Sequence, residues 1–299
     1  MKKKILVLMM SAFMALSLVA CGDQKTDSAA SGNGAESQES AADEKVDAYA
    51  AALKNMEGVT NLRSVMVMEM DMSVTQADQE QNLSTVTTMD LTCFNDPLHF
   101  KIDLGMDMGD LGSINQTVYA EKDEAGNINM YTNDGTNWQT QQVAQTAVEQ
   151  YDARTNMLAY MDESYQFQEA GTEQVDGANA YKYTGAITGD AMNETLRSSG
   201  ALDSFSQLGV GESDLEGLMK DLGDIPVTLW IDEATMYPVK VEMDMTDVMN
   251  QLMSNLVESM GDQAEGVSMS VPKLKIAMTC SDFNSAADFE IPEEAKAAQ

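Results

Sequence analysis

Val65-Met66-Val67-Met68-Glu69-Met70-Asp71-Met72-Ser73-Val74 is the stretch that decides the fold. Its even positions are Met, Met, Met, Met and Val, while its odd positions turn polar after Val67. A period of two is the mark of a strand with one buried face, because successive side chains point to opposite sides of the pleat. The same alternation continues downstream. In residues 83–94, Leu83, Met89, Leu91 and Cys93 share one face, opposite Ser84, Thr88, Asp90 and Thr92. Leu98, Phe100, Ile102 and Leu104 then alternate with His99, Lys101 and Asp103.

Late in the chain Val227, Leu229 and Ile231 lead into an Asp232-Glu233-Ala234-Thr235 turn, and Tyr237, Val239, Val241, Met243 and Met245 return as the second arm of a hairpin. Leu274, Ile276, Met278 and Cys280 form a last one-faced strand. Shorter strands are expected at 116–121, 127–132, 165–170 and 180–187. About ten strands with one apolar face make a sheet that must curl or be covered, since bare apolar patches of that size are not left in water. Helices are expected to supply the cover. Val46, Tyr49, Ala50, Leu53 and Met56 recur at helical spacing before Gly58, and helices are also expected over 140–161 and over 246–260, where Thr246 would cap and Gly261 would stop the helix. A weaker helical zone covers 190–222. The expected class is α+β: a large curved, mainly antiparallel β-sheet with helices packed in its concave face.

Working outward to the N-terminus, Lys2, Lys3 and Lys4 precede an uncharged apolar run, 5–19, too short to span a bilayer. The run ends in Leu18-Val19-Ala20-Cys21, which resembles the lipobox of bacterial lipoproteins. That resemblance implies cleavage before Cys21 and acylation of its thiol and amine. Two or more chains on one residue give stable anchoring. Residues 22–45 are small, polar and acidic, a flexible tether with no core of its own. The expected organisation is therefore a signal peptide at 1–20, a lipidated Cys21 with linker at 21–45, and one folded domain at 46–299, held on the extracytoplasmic face of a cell membrane.

The 299 residues carry 17 basic and 49 acidic side chains, a formal charge of −32. Loss of Lys2, Lys3 and Lys4 with the signal would take it to −35. Such a chain is no nucleic-acid partner, because phosphate recognition needs clustered Lys and Arg. It also repels anionic headgroups, so attachment to the membrane falls to the lipid. There is one His, and no Gly-x-Ser-x-Gly, His-Glu-x-x-His or phosphate-loop pattern; Gly209-Val210-Gly211 lacks a third glycine at dinucleotide spacing. No enzymatic constellation, cofactor or metal ligand set is expected. His99 is read as a solvated surface residue, and the acidic run 103–110 as a solvated loop unlike an EF-hand.

An amphipathic N-terminal helix, one-faced strands, late helices and the hairpin Val227-Thr228-Leu229-Trp230-Ile231-Asp232 with Tyr237-Pro238-Val239-Lys240-Val241-Glu242 together resemble the LolA-like lipoproteins. The likeness is nearer to an uncharacterised LolA-like lipoprotein family of Firmicutes, including the turn Asn133-Asp134-Gly135-Thr136-Asn137-Trp138. It extends over roughly 46–290. It implies a half-barrel whose concave face holds hydrophobic chains, as in LolA and the mycobacterial LppX-like carriers.

Methionine is the strongest chemical signal. Of 25 Met, 21 remain once Met1, Met9, Met10 and Met14 leave with the signal. Met66, Met68, Met70, Met72, Met89, Leu91, Phe100, Met243, Met245, Met249, Leu252, Met253 and Met278 are the candidate lining of a site for a lipid or other hydrophobic small molecule, since Met repacks cheaply around varied chains. Plain core filling is the competing reading. A third, Cu(I) on the thioethers, meets the objection that alternate residues of one strand stand too far apart to share an ion. Trp230, Tyr237, Tyr181 and Tyr183 are candidates for a pocket mouth. Cys93 and Cys280 share the apolar face, as a disulfide or as buried thiols. The alternative to a ligand carrier is an interaction protein whose helices fill the concavity.

Overall fold

A computed structural model describes residues 47–298, except 77–78, 124, 134, 146–147, 149–150, 192–216, 218–219 and 261–265. Cys21, the expected signal peptide, the expected linker and most of the helical zone expected over 190–222 lie outside the described residues.

Eleven antiparallel strands form one open, curved sheet. They are β1 (Asn61–Gln76), β2 (Gln79–Asn95), β3 (Leu98–Asp107), β4 (Ser113–Lys122), β5 (Ile128–Asn133), β6 (Trp138–Val143), β7 (Gln168–Val175), β8 (Ala178–Ile187), β9 (Ile225–Asp232), β10 (Pro238–Asp244) and β11 (Val267–Ser281). Their lateral order is β6-β5-β4-β3-β2-β1-β11-β10-β9-β8-β7. The Met-rich strand β1 is thus central. One meander runs from it to the β6 edge, and the chain then crosses to the opposite edge and returns so that β11 pairs with β1. The one-faced alternation survives pairing: Met66 sits beside Met278 on one side and Met89 on the other.

Helix α1 (Ala48–Glu57) begins where the Asp47 carboxylate accepts from Ala50 N at 3.1 Å and ends at Gly58. Ala48, Ala52 and Met56, spaced by four, are buried; Ala50, expected on that face, is exposed. Helix α2 (Ala153–Ala159) is capped by Asp152. Helix α3 (Thr246–Met260) buries Val248, Met249, Leu252 and Met253 with Leu274, Ile276 and Met278 of the sheet in one cluster. The concave face therefore carries the main core. A four-residue α4 (Glu293–Lys296) closes the chain on the other side.

Four sequence readings are corrected. The helix expected over 140–161 is strand β6 as far as Val143, and its helical part is only α2. Gln139, Thr140, Gln141 and Gln142 give β6 no apolar alternation to read, and it is recruited by pairing with β5. Its entry is the quoted turn: Gly135 adopts φ +90°, which suits glycine, and its N–H donates to Asn133 Oδ1 at 2.7 Å. Secondly, the strand expected at 165–170 is shifted to β7, with Tyr165 in a short 3-10 turn. Thirdly, Thr246 does not cap α3: Asp244 Oδ1 accepts from Thr246 N at 3.1 Å, while Thr246 Oγ1 accepts from Leu274 N at 3.0 Å and ties the helix to β11. Fourthly, His99 is outward but covered. It stacks on Phe94 at 4.5 Å between ring centres, lies 5.3 Å from Phe289, and meets Asp288 at 3.1 Å. The C-terminal segment lies along this convex face, where Phe289, Ile291 and Ala295 pack with Tyr119, Tyr131 and Trp138.

Candidate functional site

Paired residues in an antiparallel sheet share a face, so the register lays out the concave surface row by row. One row reads Tyr183, Leu229, Val241, Met278, Met66, Met89, Leu104 and Gln116. The next reads Val227, Met243, Ile276, Met68, Thr87, Met106 and Ile114. Burial falls along both. In the second row it goes from 1% exposed at Val227 and 7% at Ile276, through half-buried Met68 and Met106, to 49% at Ile114.

The concave face is thus two regions. Under α3 it is filled: Val227, Leu229, Val241, Met243 and Met278 pack with Val248, Met249, Leu252 and Met253. Asn250 holds that region together where β1 and β11 slip register between Asp71 and Ser73. Its amide donates to Val271 O at 2.7 Å and accepts from Val271 N at 2.8 Å, so the bulged strand keeps its backbone bonds. At the foot of the sheet, α1 and α2 also pack tightly. Phe100 is fully buried, 4.9 Å from the Tyr151 ring. The Tyr49 hydroxyl donates to Met161 O, and burial, reinforced by Glu163 and Asp162, pushes its pKa up to about 12.

The second region is an apolar corner on β1–β4 made by Met66, Met68, Met89, Leu104, Met106 and Val118, all only partly buried. Exposed Ile114 bounds it, and exposed Leu111 lies in the β3–β4 connection. Thr87 lies inside it, paired with Met68 and Met106. Its Oγ1 is the single buried side-chain polar atom among the described residues that has no hydrogen-bond partner. Such an atom costs about 1–3 kcal/mol when left unsatisfied.

The predicted lining therefore divides. Met66, Met68, Met89 and Met245 remain partly accessible. Met70, Met72, Leu91, Phe100, Met243, Met249, Leu252, Met253 and Met278 are packed within the core. Sequence reasoning missed Thr87, Met106, Ile114 and Val118 as neighbours of the open corner. The phase was present, since Thr87 follows Leu83 by four and Met106 follows Leu104 by two, but polarity disguised the first and the strand end the second. The proposed aromatic pocket mouth does not assemble. Trp230 is buried on the convex face beneath Lys240 and Lys182, at 4.7 and 5.4 Å, Tyr237 stacks on Phe283, and Tyr183 packs near Tyr49 within the core.

Cys93 and Cys280 are buried thiols. Strand β1 lies between theirs, with Leu62 beside Cys93 and Ser64 beside Cys280. Two strand spacings are about 9.5 Å, beyond disulfide reach. Burial pushes the Cys280 thiol up to about 12.

The convex face differs in kind. Its cations are paired, as in Arg63–Asp90 at 2.6 Å, Lys101–Asp103 at 2.6 Å and Lys273–Glu69 at 2.9 Å. A groove of about 420 Å³ crosses it, lined by Val67, Thr228, Ala277, Glu69, Glu242 and Lys275 among others. Those side chains alternate away from the Met-rich face. Among the described residues no three His, Cys, Asp or Glu gather as a metal site, and no helix is long and apolar enough to cross a membrane.

Sheet, inner helices and apolar concavity define an open, curved antiparallel sheet with its main core on the concave side. The chain belongs to a family of unknown function, DUF6612, whose model matches residues 44–299. No curated protein matches it. Among solved structures it is similar to LprF from Mycobacterium bovis, at 15% identity over 83% of this chain and 95% of that one, with a TM-score of 0.45. It is similar also to the lipoprotein LppX from Mycobacterium tuberculosis, at 15% identity over 81% and 96%, TM-score 0.41. A LolA superfamily protein from Nitrosomonas europaea shares 10% identity over 83% and 94%, TM-score 0.18. At these scores the fold rests on the strand order and register given above.

Proposed function

We propose that this is a lipid-anchored extracytoplasmic binding protein, tethered through Cys21 and the linker 22–45, which holds an acyl chain or similar hydrophobic ligand in the open corner of its concave face without catalysing a reaction. The observation that supports this reading most is the fall in burial along continuous rows of one apolar face, which leaves Met66, Met68, Met89 and Met106 accessible beside a filled core. Flexible thioether side chains suit chains of varied shape.

Native mass spectrometry of the protein purified from a bacterial host, with extraction of anything bound, tests the reading. A stoichiometric hydrophobic adduct is expected, and Met68→Asp is expected to reduce it at least tenfold while the protein stays folded. An undiminished adduct in a folded Met68→Asp variant would place the ligand elsewhere. The second reading, an interaction protein with a self-filled core, draws on the packing of α3 over β9–β11. A mass free of adduct after incubation with lipid vesicles would favour it.

A further inference from the structure

We propose that Met278, Met66 and Met89 form a site for a soft monovalent metal ion, Cu(I) in chemical class. The objection that methionines along one strand are about 6.8 Å apart holds for Met66, Met68, Met70 and Met72. The register removes it across strands. Met66 pairs directly with Met278 of β11 and directly with Met89 of β2, so three thioethers stand side by side in one row on one face. Neighbouring strands are about 4.8 Å apart, and directly opposed residues bring their Cβ atoms to about 4.5–5.5 Å. The curvature of the sheet tips side chains of its concave face toward one another. Met side chains, with three rotatable bonds, can then bring their sulfurs to a common point above Met66.

The surroundings select the ion. Val241 and Leu104 flank the three methionines in the row, and no ionisable side chain stands beside them in it. The ligand set is therefore neutral and made of sulfur. Such a set suits Cu(I) and offers nothing to Mg²⁺ or Ca²⁺, which need oxygen ligands. A divalent ion would also bring two uncompensated charges into an apolar wall, whereas a monovalent one brings a single charge. Met66 and Met89 are partly accessible, which gives the ion an entry from the open corner, and Met278 forms the inner wall. The chain's net charge of −32 raises the local concentration of cations. The proposal stands apart from the hydrophobic-ligand reading and does not depend on it.

The test uses the full chain in detergent with Cys21→Ser, so that no unlipidated thiol at the N-terminus competes. Cu(I) is titrated without oxygen against a chromogenic chelator. One equivalent is expected to bind, with X-ray absorption showing sulfur-only coordination. Met66→Leu and Met89→Leu are each expected to weaken binding at least tenfold, since leucine keeps the volume and removes the sulfur. Met56→Leu in α1 is expected to leave it unchanged. Failure to hold Cu(I) against the chelator overturns the proposal. So does retention of full affinity in the folded Met66→Leu/Met89→Leu double variant, or loss of binding when Cys93 or Cys280 alone is changed to Ala with the methionines intact.

Discussion

The filled half and the open corner of the concave face are made of the same residue types in the same cross-strand rows, and they differ in what lies over them. Leu229 and Met278 sit in one row with Met66, Met89 and Leu104. The first two share a core cluster with the buried residues of α3, and the last three remain partly open. Binary patterning tells a strand which side to bury, but the element that does the burying is chosen elsewhere in the chain.

That comparison can be broken or sharpened by measurement. The largest effect is expected at Leu229, fully buried: Leu229→Ala should cost about 2–5 kcal/mol through lost contacts and a cavity. Leu104→Ala, in the same row but partly open, should cost roughly 1 kcal/mol because less apolar area is re-exposed. Equal losses in denaturant unfolding would show that both regions are packed alike. Next is Asn250→Ala, which removes both hydrogen bonds to Val271 at the bulge. A loss of about 2–3 kcal/mol is expected from two stranded backbone groups; a loss near zero would mean that water or a neighbour replaces the amide.

The smallest effect concerns pH. Cys280 has its folded pKa raised from 9.0 to about 12 by burial. The folded state then holds the thiol proton more tightly than the unfolded chain does. Its contribution to stability is complete below about pH 9 and is lost as the pH climbs toward about 12. Tyr49, raised from 10.0 to about 12, acts in the same direction. The denaturation midpoint should fall across that window, and Cys280→Ala should flatten part of the fall. Iodoacetamide at pH 8 should leave Cys280 unmodified in the folded protein.

Much of this architecture was legible in the residues. The alternation in β1, β2, β3 and β11, the helix ending at Gly58 and the helix at 246–260 appear where the pattern puts them, because each buries one face and polarity records it; in β10 the expected phase holds from Val241 on, since a register shift between Pro238 and Lys240 turns Pro238 rather than Val239 inward. Strand β6 was not legible, since its Gln-rich edge gains order by pairing rather than by burial. His99 reads as a surface residue because nothing near it in sequence announces that Phe289 and Asp288, almost two hundred residues on, will cover it. The site was half legible: Met66, Met68 and Met89 were singled out by type and phase, whereas Thr87 and Met106 enter only through their partners across the sheet.

The sequence by itself determined the period of each strand, the apolar identity of one face, the acidic character of the rest and the absence of a recognisable catalytic motif. These are local properties, set by side-chain chemistry at fixed spacing along the backbone. Tertiary structure alone decided which methionines become neighbours, which stretch of the apolar face α3 fills, and which stretch stays open. Those depend on lateral register and on contacts between residues far apart in the chain, and no periodicity within one strand encodes either.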